Sequence, residues 1–413
     1  MATKYDIFEF MYNKGEIKVQ DILNAFKKSK SHYHSIYKIL QKLKNENFIS
    51  KTTNGFQVIV SQKNDVLYKL IEFCIANGIN YNNFLDKGIV NFIEKALQRR
   101  KFSIENFKLD PRTFRNYVNI LYKNGFLIVL SWKPLIAVMP YNSFLGSLLE
   151  HFGCKPIAVK RKEDEYFKEI KKELKTFRRL RRKNERGYNE IIKKYEIRFI
   201  QHSLNLEGNP ITLTETIKLL ESQVLSKDMK MEDAQEVQNY QKALNQMLKD
   251  SSDAKLLSKE AILNYHSLAM QHAPKIAGKI RKVSVFIRGN PDFKVASAEE
   301  IEKKINDLLE EYNNFIKKKH SLEEVLEFST YFHNEFQFIH PFVDGNSRTT
   351  RLLVFHIIRS QDIPIIDIPL GLLEDYLFST KGAKKRDDKK LNQAFQSIIL
   401  YNLKLIDEQL RDI

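Results

Sequence analysis

Cysteine is almost absent from this chain. Only Cys74 and Cys154 occur among 413 residues. Two cysteines cannot build a disulfide framework, so two free thiols in a reducing compartment are expected, and the cytoplasm is the default location. The first ten residues, MATKYDIFEF, are mixed in charge and lack the apolar core of a signal peptide. No uninterrupted apolar run is long enough to span a membrane, so no membrane partner is expected. The phosphate-binding pattern G-x-x-x-x-G-K-[ST] is missing as well, which excludes a P-loop nucleotide site.

Charge is present in excess and unevenly. The net charge is +17. Residues 1–200 carry 39 lysines and arginines against 20 acids, and the remainder carries 29 against 31. A basic half that could meet a polyanion is joined to a near-neutral half. A lysine-rich surface that only maintains solubility gives the same numbers, and both readings stand at this point.

The first sixty residues read as three helices and a hairpin. KYDIFEFMYNKG, VQDILNAFKKS and SHYHSIYKILQKLKNEN have helical apolar spacing, and FISKTTNGFQVIV turns at Asn54-Gly55. That order resembles a winged helix-turn-helix over 1–62. Its third helix would read a DNA groove with Ser31, His32, His34, Ser35 and Lys38. The order recurs over 63–154. There Ser103–Phe107 reads as a short helix, and Asp110 caps a longer one with Pro111 at its first position. Arg112 and Arg115 lie on the early turns of that helix. Strands are expected at Phe126–Ser131 and Leu135–Val138. Duplex DNA is the expected partner of both modules, and a protein-interaction role is the alternative. Residues 155–196, rich in Lys, Arg and Glu, read as a charged, solvated linker helix. From about 200 onward the pattern is helical, with one short strand pair expected near 283–294.

The densest chemistry lies in HPFVDGNSRTTR, His340 to Arg351. An apolar helical run precedes it, and Pro341 stops that helix. A second helix follows, so Gly345-Asn346 feeds a helix N-terminus, where free N–H groups and the dipole favour an anion. Arg348 and Arg351 are three apart and supply forked donors suited to phosphate. Asp344 beside such a site is where Mg²⁺ would be held. His340 is placed to act as a general base. The sum is a polyphosphate cradle with one base, suited to attack by a hydroxyl on a nucleotide.

HPFVDGNSRTTR resembles the Fic family signature H-P-F-x-[DE]-G-N-G-R-x-x-R, departing from it at Ser347. The likeness covers roughly residues 200–400. It implies an all-helical domain over 197–413 with a small β-hairpin flap; with the two α+β winged-helix domains read before it, the chain is expected to be mainly α. It implies transfer of AMP from ATP to a Ser, Thr or Tyr hydroxyl of a protein target or of the chain itself. It assigns His340 as base and Asp344 as Mg²⁺ ligand. Gly345, Asn346 and the Ser347 backbone become the anion hole, Arg348 holds the β-phosphate and Arg351 the γ-phosphate. Phe342 would point into the core and orient the loop.

SLNLEGN, Ser203 to Asn209, resembles the family's inhibitory motif [ST]-x-x-x-E-[GN]. That implies an inhibitory helix over about 197–209 whose Glu207 pairs with Arg351 and blocks the γ-phosphate. GKIRKVSVFIRGNPDFKVASAEEI resembles the flap that aligns a target by strand addition. Tyr376 is the candidate that closes over the adenosine, and Lys381–Asp388 reads as a solvated loop. Relatives with lysine at the Ser347 position transfer phosphate instead, so serine favours AMP. Ser347 itself poses two alternatives: strain if the position needs φ > 0, or neutrality if it is plainly helical. Removal of AMP, a nucleotide-sensing role in a DNA-binding regulator, and a homodimer all remain compatible with the sequence.

Overall fold

The helix starts are written as side-chain caps. Thr3 with Asp6, Thr212 with Glu215 and Ser321 with Glu324 form reciprocal capping boxes. Asp110 accepts from the N–H groups of Arg112 and Thr113, with Pro111 at the first helical position, as expected. The structure, a computed structural model, describes residues 2–155, 157, 165–227, 229–253, 255–287, 290, 292–365, 367–380 and 386–412. Most of the Lys381–Asp388 loop therefore lies outside the described residues.

In chain order the elements are α1 (Lys4–Tyr12), α2 (Val19–Ala25), α3 (Tyr33–Asn45), β1 (Ile49–Lys51), β2 (Phe56–Val58), α4 (Gln62–Ala76) and α5 (Lys87–Arg99). Next come β3 (Lys101–Ser103), α6 (Pro111–Lys123), β4 (Ile128–Trp132), β5 (Leu135–Val138) and α7 (Ser143–His151). The rest is helical among the described residues: α8 (Phe167–Lys183), α9 (Glu185–Asn205), α10 (Leu213–Ser222), α11 (Met231–Ser252), α12 (Lys259–Ala269), α13 (Ile301–Ile316), α14 (Leu322–Ile339), α15 (Asn346–Ser360), α16 (Leu373–Phe378) and α17 (Asp388–Asp412).

The chain forms two units, Met1–Gln98 with Ser143–Ala158, and Arg99–Asn142 with Val159–Ile413. In the first, Ile7, Phe8, Met11, Ile22, Leu23, Leu40 and Leu43 make a buried core under the β1–β2 hairpin. Ile17 bridges to Phe56 beside that hairpin. A side chain at Gly55 would meet the Ile17 carbonyl oxygen at 2.4 Å, so only glycine fits this close approach.

In the second unit, β3, β5 and β4 form an antiparallel sheet in that order. Residues 99–142, expected to complete a module with 63–98, group by their contacts with the C-terminal helices. Tyr401 donates to the Tyr122 carbonyl at 2.9 Å, and β4 packs on α17.

The expected solvated linker over 155–196 is corrected. α8 buries Ile170, Leu174 and Phe177, and it packs along α17. Lys404 donates to Glu173 at 2.7 Å, with both residues buried. The apolar stripe was outnumbered in the sequence by charges on the opposite face. A second correction concerns 283–294: no strand pair forms among the described residues there, and Arg288, Gly289 and Pro291 lie outside them. A lone two-stranded hairpin has little to hold it. The segment's ends are nevertheless fixed, with Arg281 N–H on the Pro341 carbonyl and Ala296 N–H on the Phe338 carbonyl, each at 2.9 Å. α15 occupies the centre of the helical core, buried from Arg348 to Ile358.

Candidate active site

α14 delivers His340 at its end. The residue adopts the left-handed conformation, φ 47° and ψ 59°, and Pro341 follows. That conformation is costly for a side chain other than glycine's. Its N–H still bonds Phe336 O, at 3.0 Å. The imidazole Nδ1 donates to Gln337 O at 3.2 Å, which leaves Nε2 as the basic nitrogen. Desolvation lowers the His340 pKa to about 4, and the Arg281 charge acts in the same direction. The ring is therefore neutral at pH 7.

The loop after His340 is braced from inside. Phe342 is fully buried and stacks on His266, ring centroids 3.6 Å apart. Asn346 Oδ1 accepts from Phe342 N–H at 3.0 Å, and its Nδ2 donates to Phe342 O at 2.8 Å. His266 Nδ1 accepts from Gly278 N–H, so its Nε2 donates to Asp344 O, each at 2.9 Å. Gly345 takes φ 81°, and a Cβ there would lie 2.9 Å from Met270 Sδ.

α15 begins immediately after Gly345, which puts Ser347 in helical backbone with the left-handed position taken by Gly345, two residues before it. The first N–H groups of α15 lack intrahelical acceptors and face the loop. Arg348 is 4% exposed and donates to Glu236 Oε1 and to Asp344 Oδ2, both at 3.1 Å. Arg351 is 1% exposed. Its Nη1 and Nη2 both reach Glu207 Oε1 at 3.0 Å. Its Nε donates to Ser203 Oγ at 2.7 Å and its Nη2 to Ser203 O at 2.9 Å. Despite burial, Glu207 first and Tyr240 next hold the Arg351 pKa above its usual value.

Glu207 sits just past the C-terminus of α9, in a turn tied to α11: Asn209 Nδ2 donates to Glu236 Oε2 at 2.9 Å. Ser203 Oγ donates to the Tyr240 hydroxyl at 2.8 Å. Tyr376 is 2% exposed, its hydroxyl 2.9 Å from His333 Nε2, and its own pKa is raised to about 12, chiefly by burial. The structure thus brings His340, Asp344, Gly345, Asn346, Ser347, Arg348 and Arg351 onto one loop and helix, with Ser203 and Glu207 bonded to Arg351.

The other candidates lie elsewhere. Ser31, His34 and Lys38 are exposed, and His32 and Ser35 partly so, all in the first unit. Arg112 and Arg115 are exposed on α6 in the second unit, with Asn116 and Asn119 on the same face. His266, Glu236, Tyr240 and Arg281 were missed by sequence reasoning. His266 sits in an apolar helical pattern that reads as core. Glu236 lies in EDAQEV, which reads as an ordinary solvated face.

Residues 256–358 match the model of the Fic/DOC family. The chain carries a Fic domain. Protein adenylyltransferase Fic of Nematostella vectensis is 30% identical over 190 residues, covering 45% of this chain and 42% of that protein. Protein adenylyltransferase fic-1 of Caenorhabditis elegans is 27% identical over 197 residues, 46% of this chain and 37% of that one. The chain thus spans about two fifths of the length of these curated relatives. A Fic domain-containing signalling protein from Bacteroides thetaiotaomicron shares the fold, with TM-score 0.51 and 20% identity over 60% of this chain and 98% of that chain. Glu207 and Ser203 lie outside the segment the family model matches, yet they complete the site around Arg351 of the Fic domain.

Proposed function

We propose that the chain is a self-inhibited protein adenylyltransferase. Its reaction moves AMP from ATP to a Ser, Thr or Tyr hydroxyl of a protein target or of the chain itself. The observation that carries this is the site's division of labour: a neutral His340 whose Nε2 has no hydrogen-bond partner among the described residues, beside a helix N-terminus and two buried arginines. His340 Nε2 takes the proton of the target hydroxyl as its oxygen bonds the α-phosphorus of ATP. The α–β bridging bond breaks and pyrophosphate leaves. The N–H groups opening α15 receive the charge that builds on the α-phosphate oxygens. Arg348 and Arg351 hold the β- and γ-phosphates.

Asp344 is the residue that would hold Mg²⁺. Its carboxylate is 65% exposed while accepting from Arg348 and from the Gly345 N–H, and among the described residues no group of three or more His, Cys, Asp or Glu could cage a metal. One carboxylate with water and phosphate oxygens is the donor set Mg²⁺ accepts. When bound, the ion would neutralise phosphate charge.

The Glu207–Arg351 pair is the inhibitory contact. With Glu207 in place, both terminal nitrogens of Arg351 are bonded to its carboxylate, which occupies the face a γ-phosphate would need. Transfer of label from [α-³²P]ATP by Glu207→Gly protein, and its loss with His340→Ala, tests the assignment.

A DNA-linked role is the second part of the reading. Its support is the basic half of the sequence and the order of helix, bridging strand, helix, helix and hairpin in the first unit. In the second unit α6 shows Arg112 and Arg115 to solvent over a buried apolar face of Phe114, Val118 and Leu121. The described helices include none long and apolar enough to cross a membrane.

A further inference from the structure

Arg281 is 3% exposed and bonds to main-chain carbonyls instead of a carboxylate. Its Nε donates to His340 O at 2.7 Å and its Nη2 to Ile339 O at 3.4 Å. The same guanidinium donates to Val283 O at 2.8 Å and to Ala296 O at 2.6 Å. Its own N–H bonds Pro341 O at 2.9 Å. Three stretches of chain meet on one side chain: the end of α14 at His340, and both ends of the 283–296 segment.

The chemistry of that arrangement is specific. The last carbonyls of a helix have no intrahelical partner, and a cation there meets the negative end of the dipole. His340 occupies a left-handed conformation that its neighbours must enforce. A planar fork with five donors can bind carbonyls in several directions at once, and an ammonium cannot reproduce that geometry.

We infer that Arg281 is the positioning residue of the transfer reaction, fixing the His340 backbone and both ends of the 283–296 segment in one register. This rests on the adenylyltransferase reading above. Arg281 touches no reacting atom in that scheme. It acts by holding the backbone from which the His340 ring reaches the incoming hydroxyl. Rate should depend on it far more than nucleotide affinity does.

The test uses full-length protein and two independent readouts. The first is amide hydrogen exchange of Arg281→Ala without nucleotide. The N–H groups of Ala296 and His340 are bonded to Phe338 O and Phe336 O, and both should exchange faster together while α11 and α17 keep their protection. Unchanged protection at both sites overturns the inference, whatever the enzyme does. The second readout is made in the Glu207→Gly background. Arg281→Ala should lower the rate of AMP transfer by about 10²-fold, the cost of a misplacement near 1 Å, with ATP affinity unchanged. Millimolar guanidinium should restore part of that rate, and Arg281→Lys should recover less than guanidinium does. A rate equal to the parent's, or a loss of ATP affinity as large as the loss of rate, overturns the positioning role. If the Glu207→Gly parent itself transfers no AMP, the activity reading fails, and the exchange result still decides what Arg281 holds.

Discussion

Glu207 Oε1 lies 3.0 Å from both Nη1 and Nη2 of Arg351, and Ser203 accepts from Nε and Nη2 of that guanidinium. The arginine is buried and the glutamate side chain is 21% exposed. Removing one partner of a buried pair leaves an uncompensated charge, at a cost of about 3–5 kcal/mol. Glu207→Gly should therefore melt at lower temperature than the parent when no nucleotide is present. Added ATP with Mg²⁺ should raise the variant's midpoint more than the parent's, because a γ-phosphate can take the place of the carboxylate. Differential scanning fluorimetry with and without nucleotide reads both effects. Equal shifts in the two proteins would contradict the pairing role.

His340 should stay neutral well below the pH of an ordinary histidine. Burial takes its pKa down to about 4, and burial also takes His266 to about 4 and His333 to about 3. In the unfolded chain each titrates near 6.5. Between those limits the unfolded state binds protons that the folded state does not. Stability is thus complete above about pH 6.5 and declines as pH falls toward 4. Urea titrations at stepwise pH should show that decline, and an NMR titration should find the His340 ring unprotonated at pH 6. A His340 midpoint near 6.5 would refute the desolvated base.

Positions 345 and 347 should respond in opposite ways to small changes. Ser347 is helical, so Ser347→Gly should give no gain in rate and should lose at most about 1 kcal/mol of stability. Gly345 holds φ 81° against Met270, so Gly345→Ala should cost about 1–2 kcal/mol from backbone strain alone and should lower activity. Thermal midpoints and transfer rates of the two variants check the contrast. A rate increase in Ser347→Gly would show that serine burdens the anion hole.

The legible parts of the sequence were those with local signatures. Caps at Ser321 and Asp110, the break at Pro341 and the pairing of Glu207 with Arg351 could be read because short motifs specify them. Ser347 could not be decided from sequence, since glycine at two signature positions does not say which of them needs positive φ. α8 was misread because its four buried residues are outnumbered by solvated charges. His266, Glu236 and Arg281 act through long-range contacts, with 78, 112 and 59 residues to the partners they bind, and no local pattern encodes such pairs.

DNA binding through the two candidate helices has its own test. Full-length protein should bind duplex DNA at low salt and weaken steeply as salt rises. Each of Arg112→Ala and Arg115→Ala should reduce the salt slope by about 1 if its guanidinium meets a phosphate. Gel shifts at several salt concentrations measure this. Absence of binding at low salt would remove DNA from the account and leave these surfaces to a protein partner.

The central claim is that Arg351, once freed of Glu207, lets the site transfer AMP. Parallel incubations of Glu207→Gly protein with [α-³²P]ATP and [γ-³²P]ATP test it most directly. The account predicts covalent label on protein from the α-phosphate alone, lost when His340→Ala is added. Label from the γ-phosphate, or α-label that survives His340→Ala, would contradict it.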